Sequence, residues 1–254
     1  IAPASGTPAA PVVDEIVFDG SIPLGEEKIA NQQIGEVGVF ILTAAPLNYF
    51  NIPITRYDSA NIGRFYPASF DVSIGAADFS LSCSSSFTYM GQPFRYLTPP
   101  DVTIKALSFT GALTENYEGD FWMLGSSLDK DSSCTVGTSG FCYTDNVAGG
   151  ATLETPDSSQ SYGDITNANG TVALTLHQLL TGEFNYQRRS TGLLVSPFDA
   201  DVKLNIRLRD GDGVEGSGEL ANIGVSGDPD TTPPGTPMNT TNNEYLKYGR
   251  WVLE

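Results

Sequence analysis

The 254-residue chain carries 30 acidic and 13 basic residues, which gives a formal net charge of −17 at pH 7. Such a field repels phosphate backbones and anionic lipid headgroups, so it argues against nucleic acid and membrane surfaces as partners. Hydrophobic residues make up 40% of the chain, enough for packed cores, and a chain of this length favours more than one compact unit.

The first residues have the composition of a linker. Residues 1–13 are rich in proline and alanine, and they lack an initiating methionine and a charged leader region. At the other end the chain stops inside a strand-like pattern, so we expect a processed or cut fragment. No run of about 18 apolar residues occurs, and we therefore expect no membrane insertion.

A first β-sandwich unit is predicted over residues 14–75. Its clearest strand covers residues 37–42, where Val37, Val39 and Ile41 fall on one face with the period of two that a strand requires. The pattern closes with a strand over residues 70–74, and the Gly-Ala-Ala that follows marks the boundary.

A second, larger β-sandwich unit is predicted over residues 76–254. Residues 125–165 are rich in Ser, Gly, Asp and Thr and predict a long loop insertion, while the prolines of residues 226–243 predict a long loop. The expected strands of this unit cover residues 79–81, 87–89, 102–107, 121–124, 172–177, 201–208 and 245–253. Turn signals at sandwich spacing and the absence of any amphipathic helix predict an all-β fold of tandem immunoglobulin-like β-sandwiches.

The three cysteines favour an oxidising compartment. Cys134 and Cys142 bracket a stretch of small residues that can close a hairpin loop, so we predict a disulfide between them. Cys83 is left over, either as a buried thiol or as the partner of a segment outside this chain. Three cysteines and one histidine do not make a zinc site.

Several motifs occur in the order found in a known family. They are Ile-Gly-Glu-Val-Gly at 34–38, Ile-Gly-Arg-Phe-Tyr-Pro at 62–67, Cys83, Phe-Thr-Tyr-Met-Gly-Gln-Pro-Phe at 87–94, Thr-Glu-Asn-Tyr-Glu-Gly at 114–119, Phe-Asn-Tyr-Gln-Arg at 184–188, Pro-Phe at 197–198, Arg-Asp-Gly-Asp-Gly-Val at 209–214 and Lys-Tyr-Gly-Arg-Trp-Val-Leu-Glu at 247–254. The chain thereby resembles the uncharacterised β-rich region of MshQ-like proteins, which are encoded with mannose-sensitive haemagglutinin-type (type IV) pili. Residues 125–165 match no part of that region.

The resemblance implies a protein that is secreted through the periplasm and sits outside the cell or on its surface. It implies a pilus-associated role and brings no defined catalytic activity. Inference of adhesion from it is analogy, because function resides in sites and not in folds.

One acidic turn is open to two interpretations. Asp210, Asp212 and Glu215 lie close together among glycines, and clustered carboxylates of this kind can gather oxygens around Ca²⁺. The EF-hand pattern fails, however, because Val214 stands where a third ligand belongs and Glu215 where the glycine belongs. A tight turn between two strands needs Asp and Gly in any case, and we favour it.

Three further residues are assigned structural roles. Tyr117, which precedes the expected strand at 121–124, is interpreted as a tyrosine-corner-like lock whose hydroxyl bonds nearby backbone. Its alternative role is to stack against a sugar. Arg64 and Arg250 each follow a glycine inside an aromatic stretch, and we interpret them as partners of buried carboxylates or aromatic rings.

No catalytic residue is predicted, and we expect no enzyme. A Ser-His-Asp hydrolase would have to use His177, the only histidine, and alternation places it on the solvent side of its strand. No Gly-x-Ser-x-Gly elbow supplies a nucleophile. A glycosidase needs only two carboxylates, and 30 acidic residues leave that class open as a minor alternative.

These observations lead to a functional hypothesis. We expect an extracellular adhesive or structural module of a bacterial surface appendage that acts through exposed loops and edge strands. Its expected partners are other pilus or surface subunits, with self-association through edge strands and glycans left open. The alternative hypothesis is a carbohydrate-binding module or a calcium-dependent lectin.

Overall fold

The computed structural model describes residues 33–44, 52–53, 55–80, 88–131, 134–135, 137–145, 152–157, 159–176, 183–187, 202–221, 223–225 and 246–247. Within these residues the chain is built from β-strands, with a single short 3₁₀ helix at Gly119–Phe121. The prediction of an all-β protein is therefore confirmed.

The strands are numbered here in chain order. They are β1 Gly38–Phe40, β2 Thr43–Ala44, β3 Tyr57–Asp58, β4 Ile62–Phe65, β5 Ser69–Ile74, β6 Asp78–Ser80, β7 Thr88–Tyr89, β8 Arg95–Thr98, β9 Asp101–Leu107, β10 Ser127–Leu128, β11 Gly140–Asp145, β12 Leu153–Glu154, β13 Gln160–Ser161, β14 Thr171–Thr175, β15 Asn185–Tyr186, β16 Val202–Arg209, β17 Glu215–Leu220, β18 Gly224–Val225 and β19 Leu246–Lys247.

The chain divides into two compact units that are interleaved in sequence. The first contains the described residues within 1–70, 105–123 and 164–171, and the second contains those within 71–104, 124–163 and 172–254. The chain passes from one unit to the other inside strands β5, β9 and β14. The predicted division was a serial one, with a single boundary near residue 75.

One large sheet contains six strands in the order β11-β16-β17-β5-β9-β14. Strand β16 pairs antiparallel with both of its neighbours, β11 and β17. Five smaller sheets have two strands each, β1-β4, β2-β3, β10-β13, β12-β15 and β19-β7, and one has three, in the order β18-β6-β8.

Strict alternation explains why β16 and β9 form central strands. In β16 the side chains of Val202, Leu204, Ile206 and Leu208 are buried, while those between them are partly or fully exposed. In β9 the same alternation buries three apolar side chains, as the sequence predicts. Because successive side chains in a strand point to opposite faces, each strand gives one apolar face to the core.

In the first unit, Tyr117 is the centre of a small aromatic core. Its ring lies 5.5 Å from that of Phe70 and 5.0 Å from that of Trp122, measured between centroids. The side chain is completely buried, and its hydroxyl accepts a hydrogen bond of 3.2 Å from the backbone N–H of Met123. The hydroxyl therefore fixes the backbone that follows the 3₁₀ helix.

The predicted alternation over residues 37–42 is wrong. Strand β1 is only three residues long, and its register with β4 shifts between Gly38 and Phe40. Gly38 has φ +144°, a conformation that an L side chain rarely adopts, so the strand is irregular there. As a result Ile41 lies outside the strand and is 55% exposed.

Two other stretches differ from their predicted structure. The predicted strand at residues 121–124 is absent, because the chain forms the 3₁₀ helix up to Phe121 and is irregular to Leu124. The expected loop insertion at 125–165 contains strands β10 to β13, of which β11 is six residues long and joins the large sheet.

The predicted disulfide between Cys134 and Cys142 is present, with 5.5 Å between the two Cα atoms. Cys142 lies on β11, so the bridge ties the preceding loop to that strand. Cys83 lies outside the described residues. In the part of the chain that the structure describes, no helix has the length and apolar composition needed to span a membrane.

Candidate functional site

The acidic turn predicted as a calcium candidate connects β16 to β17. Asp210 is buried, and its Oδ1 accepts hydrogen bonds from the backbone N–H groups of Asp212 at 3.0 Å and Val214 at 2.9 Å. Glu215 forms an ion pair of 3.4 Å with Arg209. The Asp210 carboxylate therefore stabilises the hairpin turn itself, as short polar side chains commonly do.

This arrangement agrees with the interpretation of the segment as a turn. Within the described ranges, no three His, Cys, Asp or Glu side chains are grouped so that they could hold a metal ion. Calcium binding at Asp210, Asp212 and Glu215 stays a prediction.

A different feature of the second unit has the geometry of a binding site. It is a cleft of about 800 Å³, within the size range of ligand pockets. We call it the polar cleft. Its lining residues are Pro93, Lys130, Asp131, Tyr143, Leu153, Glu154, Thr155, Pro156, Asp157, Glu183 and Asn185.

Strands β12 and β15 form one wall of the polar cleft. They pair antiparallel, with Glu154 directly opposite Asn185. The Asn185 amide donates a hydrogen bond of 3.0 Å to Glu154 Oε2, and the Gln187 amide donates to Oε1. Because cross-strand neighbours lie on the same face of a sheet, this pairing holds the Glu154 carboxylate in a fixed position.

The cation among the described lining residues is Lys130, which follows β10. Its Nζ donates a hydrogen bond of 3.0 Å to the carbonyl oxygen of Thr155 and lies 3.6 Å from the Asp157 carboxylate. The Lys130 side chain is 17% exposed and that of Asp157 is 91% exposed, so solvent screens this ion pair. Lys130 therefore anchors the segment that follows β12.

The remaining two carboxylates of the lining also have donors. Asp131 Oδ2 accepts hydrogen bonds from the backbone N–H of Thr135 at 2.9 Å and from the hydroxyl of Thr138 at 3.2 Å. Glu183 forms an ion pair with Arg95. Among its described lining residues the polar cleft thus presents three positioned carboxylates and the largely exposed Asp157 against one cation, so it suits ligands that donate hydrogen bonds or carry positive charge.

One acceptor of the polar cleft has no donor. Asn185 Oδ1 is buried and accepts no hydrogen bond from the residues that the structure describes. A buried acceptor without a donor costs about 1–3 kcal/mol of folding free energy.

Beneath the lining lies a cluster of aromatic rings. Its members are Phe79, Phe94, Tyr96, Tyr143, Phe184 and Tyr186. The Tyr96 hydroxyl donates a hydrogen bond of 3.1 Å to the hydroxyl of Tyr143, which also lines the polar cleft. Burial raises the pKa of both phenols, and for Tyr96 the neighbouring Tyr143 raises the pKa further. Both phenols are therefore neutral at physiological pH.

The family model described as DUF6701, third domain, covers residues 36–233, well over half of the chain. The chain belongs to the DUF6701 third-domain family. Among curated proteins no match was found, and among solved structures none was found either.

The matched DUF6701 region includes the whole polar cleft and two of the three residues predicted to be structural. Tyr117 makes the buried hydroxyl-to-backbone contact described above. Arg64 lies on β4 with an exposed side chain, and the His177 of the rejected hydrolase and Arg250 fall outside the described residues.

Sequence reasoning missed the cleft of this DUF6701 chain because its lining is scattered. The lining residues come from five separate stretches between Pro93 and Asn185, and no two stretches form a recognisable motif. The one available signal was the alternation of acidic and amide residues at the ends of short strands, which is common on any polar surface.

The raised tyrosine pKa values predict a loss of stability in alkali. A phenol whose pKa is raised by folding contributes stability that is complete below its ordinary pKa of about 10 and is lost as the pH rises above it. We expect the double variant Tyr96→Phe, Tyr143→Phe to unfold at a higher pH than the wild type, as monitored by circular dichroism. Tyr57→Phe, at a 72% exposed position, is the control and should not move the transition. An unchanged alkaline transition in the double variant would contradict the assignment.

Proposed function

We propose that this domain is a non-catalytic adhesive or structural module of a bacterial surface appendage, secreted through the periplasm and displayed outside the cell. The proposal includes membership of the MshQ-like proteins of mannose-sensitive haemagglutinin-type pilus systems, and it is supported by the ordered motifs of the sequence. The Cys134–Cys142 disulfide supports an oxidising location.

One observation carries the proposal, namely the way the carboxylates of the polar cleft are held. Asp131 and Glu154 accept hydrogen bonds and Glu183 forms an ion pair with Arg95, so these three carboxylates are fixed acceptors. A glycosidase would need one carboxyl that stays protonated and another that is free to attack or to activate water. Fixed acceptors of this kind favour binding over turnover.

The second candidate function is a carbohydrate-binding module or a calcium-dependent lectin. It is favoured by the combination of acceptors, the amide of Asn185 and the aromatic Tyr143 in one cleft, since sugars offer many hydroxyl donors and apolar ring faces. The calcium dependence rests only on Asp210, Asp212 and Glu215. An adhesin that binds a glycan would satisfy both candidates.

The finer description of the fold is also part of the proposal. We infer an immunoglobulin-like sandwich for each of the two units, which are interleaved in sequence and not consecutive as predicted. This inference is supported by antiparallel pairing around β16 and by the buried Tyr117 hydroxyl that bonds to the backbone of Met123.

Binding by the polar cleft is tested with one chain and two ligand classes. The soluble domain is probed on a glycan array and against purified pilus subunits, and Asn185→Ala is compared with Asp71→Ala. Asp71 is an exposed carboxylate on β5 outside the cleft. We expect Asn185→Ala to weaken binding about tenfold, which corresponds to about 1.4 kcal/mol, and Asp71→Ala to bind like the wild type.

Two outcomes would contradict the proposal. Equal affinity of the wild type and Asn185→Ala would remove the polar cleft as the binding site. Release of shorter sugars from a bound glycan, detected by mass spectrometry, would replace the non-catalytic module with a glycosidase.

A further inference from the structure

The two edge strands of the six-stranded sheet, β11 and β14, differ in how their outer main-chain groups are paired. At one edge, β11 is covered by the segment before it: the Asp131 N–H donates to the Phe141 carbonyl at 2.8 Å, and the Phe141 N–H donates to the Asp129 carbonyl at 2.9 Å. The Cys134–Cys142 disulfide fastens the intervening loop to the same strand. At this edge the outward main-chain groups of Phe141 are therefore already paired.

The opposite edge is β14, and its inner side is already paired. The Ala106 N–H donates to the carbonyl of Gly170 at 2.8 Å, and the Leu176 N–H donates to the carbonyl of Pro100 at 3.0 Å. Main-chain groups alternate between the two sides of an antiparallel strand, so those of Ala173 and Thr175 point outward. No strand among the described residues pairs with this outer side.

Strand β14 also lacks the devices that usually block an edge. Its sequence, Thr-Val-Ala-Leu-Thr, contains no charge and no proline, and its two buried side chains are both apolar. Val172 and Leu174 are buried toward the core, and Ala173 is exposed. The strand thus has the properties of a site for strand addition.

The sequence of β14 is symmetric about its centre, and this identifies the occupant. When two copies of the strand pair antiparallel about Ala173, Val172 lies opposite the partner's Leu174 and Thr171 lies opposite the partner's Thr175. Apolar side chains then meet apolar ones on the core face, and threonine meets threonine on the opposite face of the strand. We propose that β14 is the interface through which two copies of this chain join their sheets across a twofold axis.

The geometry specifies the bonds of this interface. Two reciprocal N–H to carbonyl bonds form between Ala173 and the partner's Ala173, and each Thr175 N–H donates to the carbonyl of the partner's Thr171. The Thr171 N–H takes no part, because it already donates to Ala168 at 2.8 Å. So short an interface gives weak, concentration-dependent association.

The net charge adds a distinctive salt dependence. Each copy carries −17, so the two copies repel one another at low ionic strength, while the uncharged strand itself gains nothing from low salt. Dimer formation should therefore become stronger as sodium chloride is added. An interface built on ion pairs would show the opposite trend.

The test is sedimentation velocity of the wild-type chain and three variants over a range of concentrations, at low and high salt. Ala173→Pro removes an outward N–H that the fold does not use, and Ala173→Lys places like charges opposite each other on the axis. Both should stay monomeric. Thr144→Lys, which adds the same charge to the exposed position of β11 at the opposite edge, should dimerise like the wild type.

The outcomes decide the proposal without reference to ligand binding. Wild-type dimers that strengthen with salt and are lost in both Ala173 variants support it. A wild-type chain that stays monomeric at all concentrations and salts overturns it, as does a dimer that survives Ala173→Pro. The polar cleft variant Asn185→Ala should dimerise normally, so failure of the proposed function would be seen separately.

Discussion

Replacing Gly170 with alanine should destabilise the protein by about 3 kcal/mol or more. Gly170 has φ +70°, and a Cβ built on it would lie 2.2 Å from the carbonyl oxygen of Thr114 and 2.9 Å from its carbonyl carbon. Both are backbone atoms and cannot swing aside as a flexible side chain would. The added methyl group therefore forces the turn at residues 168–171 away from the chain that it packs against.

The close approach at Gly170 is fixed by hydrogen bonds on both sides. The Gly170 carbonyl accepts from the Ala106 N–H, and the Thr114 N–H donates to the carbonyl of Ala106 at 2.9 Å. Asn169, which precedes it, also has a positive φ of 46°. Asn-Gly with positive φ at both residues is the signature of a type I′ turn, so the sequence here is dictated by backbone shape.

Gly111→Ala is the matched control for this prediction. Gly111 lies in the same unit, has φ +81°, and has no atom within 4 Å of a built Cβ. It should cost only about 1 kcal/mol, the penalty for a left-handed alanine. Urea unfolding of both variants measures the difference. If the two variants lose similar free energies of unfolding, the close contact with Thr114 does not determine the loss at Gly170.

Replacing Glu36 with alanine should destabilise the protein by about 2–4 kcal/mol. Its Oε1 accepts the backbone N–H of Val37 at 2.8 Å and that of Asn116 at 3.0 Å, and its Oε2 accepts the N–H of Glu115 at 3.0 Å. One carboxylate thus satisfies three backbone donors and joins two segments that are far apart in sequence. Hydrogen bonds to a charged acceptor are stronger than neutral ones.

Glu36→Gln separates the role of charge from the role of shape. A glutamine oxygen can keep the bonds to Val37 and Asn116, but its NH₂ group would face the N–H of Glu115. We expect the free energy of unfolding of Glu36→Gln to lie between that of the wild type and that of Glu36→Ala. Asp120→Ala, at an exposed carboxylate of the 3₁₀ helix, is the control and should change the free energy of unfolding by less than about 0.5 kcal/mol. Equal unfolding midpoints for Glu36→Ala and Asp120→Ala would contradict the assigned role.

Strands with alternating side chains could be predicted from the sequence. In β9 and β16 the apolar residues recur every second position, and the structure buries those residues. The Asp-Gly turn after β16 could be predicted as well, because only a few residue types suit it. These signals are local, so a single stretch of sequence contains them.

Strands β17 and β11 had no such signal. Strand β17 reads Glu-Gly-Ser-Gly-Glu-Leu, and a Cβ added to Gly218 would meet the Val72 carbonyl oxygen at 2.7 Å. The strand is glycine-rich because its neighbour β5 approaches closely, and that neighbour is remote in sequence. Strand β11 lies in a stretch rich in Ser, Gly and Asp, and pairing with β16 makes it a strand.

The polar cleft could not be predicted from the sequence for the same reason. Its wall depends on Glu154 lying opposite Asn185, a register that neither short strand specifies by itself. Tertiary pairing therefore determines the site, whereas local pattern determines the strands around β16.

The Cys134–Cys142 bridge has a practical consequence for how the chain is produced. Formed in a reducing cytosol, the chain would lack the covalent link between Cys134 and β11, while the two main-chain bonds at Phe141 would remain. If the β11 edge opened, each molecule would have two sheet edges available for strand pairing instead of one. Assembly would then cease to stop at pairs and could continue as fibres, so the redox state during synthesis sets whether a preparation stays finite.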